Sequence, residues 1–299
     1  MTDLLEMLRY RRPDLSVTEE AFIDRFLRPL GATEDGYGNL FLDVGNSPTV
    51  LWSSHTDTVH HAEGMQKIHV HDDFVSVVQS NCLGADCTAG VWLMAELAKA
   101  KKPGRYIWHR AEEVGGRGSS WIAEENPQLL DGIQFAIALD RRGTTSVITH
   151  QCGSRCCSDA FAASLAEQLG KNWKLDDWGI FTDTANYTDI VPECTNVSVG
   201  YRDEHTRKEI LDLRHVKQLR DSLIALDYDL LIAEREPGTD DYTDPNALLP
   251  WDIDAYSAAY GSSRDLYWLV KDHPQELADW LEENGMDAAT LLSIVKERR

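Results

Sequence analysis

The sequence predicts an α/β protein: a mostly parallel, mixed sheet sandwiched by helices, with a small helical appendage at the C-terminus. Three observations carry this expectation. Short apolar runs alternate with longer amphipathic stretches between residues 17 and 233, the pattern of strands joined by crossover helices. Four of the apolar runs lead into clusters of His, Asp and Glu, and in open α/β sheets such clusters gather beyond the carboxyl ends of the strands. The chain has 299 residues, 42% of them hydrophobic, which is enough for one large core.

Taken in order, residues 2–12 and 17–30 are expected to be helical. Ser16-Val-Thr-Glu19 is a capping box ahead of Ala21, Phe22, Ile23, Phe26 and Leu27, which recur at helical spacing. Asp35-Gly36 and Gly38-Asn39 mark turns. Residues 40–44 and 49–53 are strands separated by Gly45-Asn-Ser-Pro48, and the second runs into His55. Residues 67–79 alternate and predict a hairpin turning at Asp72-Asp73. Residues 89–101 form a helix with Val91, Leu93, Met94 and Leu97 on one side. Residues 106–109 are a strand entering Glu112-Glu113, and 119–125 a short helix stopped by Asn126-Pro127.

Residues 135–139 are a strand ending at Asp140, and 146–149 another. Residues 158–169 form a helix with Ser158 as N-cap and Gly170 just past its end. Residues 196–200 are a strand leading to His205, and 209–233 a long amphipathic helix. The first domain is expected to end near 234. Residues 235–299 then hold an acidic, turn-rich linker (Glu236 to Pro245) and helical stretches at 251–270 and 274–297. The last contains Leu277, Trp280, Leu281, Leu291, Leu292 and Val295. This appendage carries no chemical motif and suits a structural cap or an oligomer contact.

Net charge is −21, which repels phosphate backbones, so no nucleic-acid partner is expected. No apolar run approaches the ~18 residues of a membrane span. Met1-Thr2-Asp3-Leu4-Leu5-Glu6 is acidic and lacks a secretory pattern, so the expected location is cytoplasmic. The six cysteines show no paired Cys-x-x-Cys zinc spacing and are expected as free thiols.

His55, Asp86, Glu113, Asp140 and His205 offer a nitrogen-and-carboxylate nest suited to two divalent metals. A metal pair needs a ligand that touches both ions, and Asp86 is the natural bridge. His55 with Asp140, and Glu113 with His205, would complete the two sides; the spacing does not say which ligand holds which ion. Glu112 is left over as a general base. Asp57, two residues after His55, fits the carboxylate that receives the other imidazole N–H of a metal-bound histidine.

The matching segments are Ser54-His-Thr-Asp57, Leu83-Gly-Ala-Asp-Cys-Thr-Ala-Gly90, Ala111-Glu-Glu-Val-Gly-Gly-Arg-Gly-Ser119, Ala138-Leu-Asp140 and Asn196-Val-Ser-Val-Gly-Tyr-Arg-Asp-Glu-His205, with Asp35-Gly-Tyr-Gly-Asn-Leu40 ahead of them. In that order they resemble the co-catalytic di-zinc exopeptidase clan of the leucyl aminopeptidases, carboxypeptidase G and acetylornithine deacetylase, over roughly residues 15–232. The resemblance implies a phosphorylase/hydrolase-like fold and two Zn²⁺ per chain, with Co or Mn as possible substitutes. It further implies Glu112 as general base, Glu113 as ligand, and a cis peptide between Asp86 and Cys87. Cys87 is a departure, since many relatives carry a second aspartate there. The stretch between Asp140 and His205 is too short for the lid and dimerisation domain of the deacetylase branch, so the lidless aminopeptidase branch is the better match.

The expected activity is hydrolysis of a peptide or amide bond in a short peptide or amino-acyl amide. The alternatives are an N-acyl amino-acid deacylase, a carboxypeptidase, a one-zinc cyclase-like transferase, or a non-catalytic relative. Tyr187, Tyr201, Arg142 and Arg155 are candidate substrate contacts, and the loop holding Asp183 a candidate pocket wall.

Overall fold

The structure is a computed structural model and describes residues 1–238. Its centre is an eight-stranded sheet in the order Lys174–Asp176, Ser146–Ile148, Glu193–Ser198, Phe135–Arg141, Val50–His55, Gly104–His109, Leu40–Val44, Thr33–Glu34. The four middle strands are mutually parallel, as the crossover pattern requires. Leu40–Val44 and Thr33–Glu34 add an antiparallel edge, and Ser146–Ile148 runs antiparallel to Glu193–Ser198.

Strands Val50–His55, Phe135–Arg141 and Glu193–Ser198 are buried along their whole length, because both faces of the sheet are covered. Alternate side chains feed two cores. Trp52, Trp108 and Ile137 join the larger one with residues of helices α1 (Thr2–Met7), α2 (Val17–Phe26), α3 (Ala85–Lys99), α5 (Asp159–Leu169) and α6 (Leu213–Ala225). Leu51, Ile107 and Ala136 join the smaller one with Ile122 of α4 (Arg117–Glu125), Leu130, Tyr187 and Val191. A second sheet, in the order Tyr201–Arg202, Ile210–Asp212, Phe74–Val77, Ile68–His71, contains the expected hairpin.

Local signals placed most elements. Ser16 accepts from the Glu19 N–H at 3.1 Å, and Ser158 caps α5 through the Phe161 N–H. Only half of the capping box forms, because the Glu19 carboxylate turns inward to the Thr56 hydroxyl.

Three expectations need correction. Residues 2–12 are not one helix: α1 ends at Met7, and Tyr10–Arg11 pairs as a strand with Gly64–Met65. The helix expected at 209–233 starts only at Leu213, since residues 210–212 pair with Phe74–Val77, and Asp212 then caps α6 through the N–H groups of Arg214 and His215. It ends at Ala225. Helix α3 starts four residues early, at Ala85, and its first turn is interrupted by non-helical backbone at Asp86 and Cys87.

The described chain closes against the smaller core. Glu234 and Arg235 donate their N–H groups to Glu193, and the Arg235 guanidinium caps the carbonyls of Thr188 and Pro192. The helical stretches expected at 251–270 and 274–297, and the linker beyond Gly238, lie outside the described residues. No helix among the described residues is long and apolar enough to cross a membrane.

Candidate metal centre

His55 is the last residue of its strand, and Asp140 lies one residue before the end of the neighbouring one. Glu112 and Glu113 follow the strand Gly104–His109, and His205 follows Tyr201–Arg202. Asp86 is the exception among the five, because it comes from the first turn of α3 and not from a strand end.

Gly90 explains how α3 comes so close. A Cβ there would sit 2.0 Å from the Leu139 carbonyl oxygen, so only glycine lets the helix pack against the strand carrying Asp140. Gly118 does the same for the Glu112-Glu113 loop, where a Cβ would meet Asn39 Oδ1 at 2.2 Å and the Arg110 carbonyl at 2.3 Å. Asn39 fastens that loop from below: its Oδ1 accepts from the Arg110 N–H, and its amide donates to Asp35 and to the Gly118 carbonyl.

The five expected ligands converge. His55 Nε2 lies 3.1 Å from Asp86 Oδ1 and 3.4 Å from Asp140 Oδ1. His205 Nε2 lies 3.1 Å from Asp86 Oδ2 and 3.3 Å from Glu113 Oε1. Asp86 thus presents one oxygen to each histidine, the disposition a bridging carboxylate needs. Ligands about 2.1 Å from a tetrahedral ion stand roughly 3.4 Å from one another, so these separations fit two ions. Glu113 Oε1 and Asp140 Oδ1 are buried acceptors that face the imidazoles of His205 and His55. Four carboxylates, buried at Asp86 and Asp140 and partly buried at Glu112 and Glu113, face two imidazoles, an excess of negative charge that divalent cations would offset.

The electrostatics carry the same imbalance. Burial, with Asp86 nearby, pushes the Asp140 carboxyl up to about 7. Burial likewise raises Glu113, and holds Glu112 well above the usual carboxylate range despite His55. Burial would also raise Asp86, but hydrogen bonds from His205 and His55 outweigh it and leave its carboxyl far below the ordinary value. Burial pulls His55 down, yet Asp140 and Glu112 more than compensate and keep the imidazole well above its usual range.

Glu112 Oε2 lies 3.9 Å from His55 Nε2, at the edge of the cluster. Asp57 does two things. It faces His55 Nδ1 at 3.3 Å, and its two oxygens accept the N–H groups of Glu112 (3.1 Å) and Glu113 (3.0 Å). One carboxylate therefore orients His55 and the loop bearing Glu112 and Glu113.

The Asp86–Cys87 peptide is cis. The ligand atoms of His55, Cys87 and Asp140 lie within 4.8 Å of one another, as do those of His55, Asp86 and Glu113. The Cys87 thiol, however, donates to the Leu139 carbonyl at 3.2 Å, and burial keeps it well above its ordinary pKa. It stands beside the cluster as a neutral thiol.

Sequence reasoning overlooked the supports of Asp140. Thr182 donates its hydroxyl to Asp140 Oδ2 at 2.8 Å, Asn196 Oδ1 accepts the Asp140 N–H, and the Tyr201 hydroxyl donates to the Asp140 carbonyl. Buried Tyr201 is thus a strut and not a substrate contact. Tyr187 is fully buried with its hydroxyl 2.6 Å from His109 Nε2, and His109 Nδ1 faces Asp183 at 3.2 Å, so these two side chains turn inward to His109. Arg12, wholly buried against the ring of Phe22, joins the Thr56 carbonyl to the Thr88 hydroxyl beneath the centre. Asn196 lay inside a recognised segment; Thr182 and Arg12 had no local signal.

No family model and no curated protein matches this chain by sequence. Solved structures do match by fold. The aminopeptidase PepT from Bacillus cereus aligns at TM-score 0.60 and 14% identity, over 75% of this chain and 96% of that one. The TET1 peptidase of Pyrococcus horikoshii aligns at 0.58 and 16%, over 75% and 98%. A tripeptidase from Staphylococcus aureus aligns at 0.57 and 16%, over 75% and 95%. The chain has the fold of these aminopeptidases and tripeptidases.

Proposed function

We propose that this chain is a two-metal hydrolase acting as an exopeptidase, releasing the N-terminal residue of short peptides. The observation that carries the proposal is the convergence of five ligand side chains around Asp86, with one acid, Glu112, left beside them. We assign His55, Asp86, Glu113, Asp140 and His205 to two ions, zinc in first place with cobalt or manganese as substitutes, since such ligands accept several metals. Bound metal supplies a Lewis acid and a water whose pKa falls toward ~7.

Glu112 takes the proton of the attacking water at its carboxylate and returns it to the leaving nitrogen. Asp57 keeps the His55 tautomer and the direction of Glu112 fixed throughout.

The amino end is favoured over the carboxyl end by what the arginines do. Arg142 and Arg155, the two arginines expected as substrate contacts, are paired with Glu204 and Asp159. Of the solved structures of similar fold named above, the PepT one is described as an aminopeptidase, which supports the same direction. A deacylase or carboxypeptidase would use the same centre on a different substrate. We further propose a cytoplasmic enzyme whose catalytic unit ends near residue 234, with residues 235–299 as an oligomer contact. The TET1 peptidase is described as assembling into a tetrahedron or an octahedral shell.

Two measurements test this. Elemental analysis of zinc-loaded protein should find close to two ions per chain, and Glu112→Gln should retain both while losing nearly all turnover. A library of peptides and N-acyl amino acids, read by mass spectrometry, reports the bond and the end attacked. Release of C-terminal residues or of acyl groups alone would overturn the aminopeptidase assignment, and full activity of Glu112→Gln would remove its role.

A further inference from the structure

Glu209 is a fully enclosed acid outside the ligand set that touches it. It has no exposed surface, and no Lys or Arg pairs with it among the described ion pairs. Its partners are four consecutive backbone N–H groups. Oε2 accepts from Leu83 (2.8 Å) and Gly84 (3.0 Å), and Oε1 from Ala85 (2.7 Å) and Asp86 (3.3 Å). Those N–H groups open helix α3, whose N-cap Gly84 has no side chain to satisfy them. The cap comes instead from a residue more than a hundred positions away.

Two features make this more than a helix cap. Asp86 is the ligand that faces both histidines, and its own N–H is one of the four. Glu209 also lies four residues after His205, on a short turn closed by the Glu209 N–H to the Thr206 carbonyl at 3.1 Å. One carboxylate therefore ties the segment that presents Asp86 to the segment that presents His205. No comparable link joins Glu209 to His55 or Asp140, whose supports are Asp57, Thr182 and Asn196.

We infer that Glu209 is a positioning residue that sets the spacing between Asp86 and His205, and so controls the affinity of the ion held on the Glu113–His205 side. The inference rests on the two-metal reading above. It predicts an asymmetric effect. Loss of Glu209 should weaken the ion on the Glu113–His205 side more than the other, because Asp86 is shared by both sides whereas the His205 segment belongs to one. Substitution of residues that support metal ligands typically costs about 10–100-fold in affinity. Gln is a severe replacement here, because its NH₂ would face two N–H donors where an oxygen now accepts.

The test is a calorimetric titration of the metal-free full-length chain with Zn²⁺, repeated with Co²⁺ and followed by visible absorption, for wild type and for Glu209→Gln and Glu209→Asp. The wild type should bind two ions. Glu209→Gln should bind the second at least tenfold more weakly with a smaller loss for the first, and the Co²⁺ spectrum of one ion should change more than that of the other. Glu209→Asp keeps the charge but falls short of the four donors, so it should show the same asymmetry to a smaller degree, and it carries the test alone should Gln prevent folding. A merely structural role for Glu209 would lower the melting temperature and leave both affinities unchanged, or lower them by the same factor; either result overturns the clamp. A wild-type chain that binds fewer than two ions refutes the metal reading itself, a separate outcome visible before any variant is compared.

Discussion

Replacing Gly90 with alanine should damage stability and metal binding together. The added Cβ would meet the Leu139 carbonyl oxygen at 2.0 Å and Cys87 Sγ at 2.6 Å, and real Cβ contacts shorter than 3.0 Å essentially do not occur. Leu139 is in the middle of a fully buried strand and cannot yield. Helix α3 must therefore back away by about 1 Å or more. Overpacking of this kind costs about 1–3 kcal/mol. Alanine gains about 1 kcal/mol over glycine as a helix former, which leaves a net loss of up to about 2 kcal/mol. For a folded unit of this size, that lowers the melting temperature by up to about 8 °C.

The functional effect should be larger, because Asp86 is four residues along the same helix and lies 3.1 Å from each histidine. Metal–ligand distances tolerate only about 0.2 Å, and a 1 Å misplacement of catalytic groups can cost about 100-fold. Thermal melts of the metal-free protein measure the first effect. Competition with a zinc chelator and peptide turnover measure the second. Unchanged melting temperature together with unchanged zinc affinity would show that close packing of α3 against the Asp140 strand is not what places Asp86.

Two other outcomes are expected. Asp57→Asn should lower zinc affinity by about 10–100-fold, because one of its two acceptors for the Glu112 and Glu113 N–H groups becomes a donor; equal affinity by chelator competition would refute its bracing role. His60 is held neutral: it faces the Thr58 hydroxyl at 2.7 Å and Gln66 Oε1 at 3.1 Å, and burial, with Arg12 adding to it, lowers its pKa to about 4. The unfolded chain takes up this proton near pH 6.5 and the folded chain does not, so this residue lowers stability as pH falls from 6.5 toward 4, by about 2 kcal/mol at pH 5. Urea unfolding in the presence of a chelator should show that His60→Gln loses less stability than wild type between pH 7.5 and 5; parallel losses would refute the assignment.

The chemistry of this protein was legible locally where chain geometry is local. Apolar runs ending in His55, Glu112-Glu113 and Asp140 announced a parallel sheet with a polar edge, because strands buried on both faces must be apolar until they reach solvent. Ser16 and Ser158 marked helix starts for the same reason, since a cap acts on N–H groups two or three residues away. Long-range relations were not legible. The sequence could not show that residues 210–212 would join the hairpin at Phe74–Val77 and shorten α6, nor that Asp86 would come from a helix held by Glu209 and admitted by Gly90. It offered Tyr187 and Tyr201 as substrate contacts, whereas burial turned one to His109 and the other to the Asp140 backbone. Residue type and spacing determined which groups are available for metal chemistry; the tertiary packing decided which of them meet, because the partners lie far apart along the chain and only the closed core sets the distances between them.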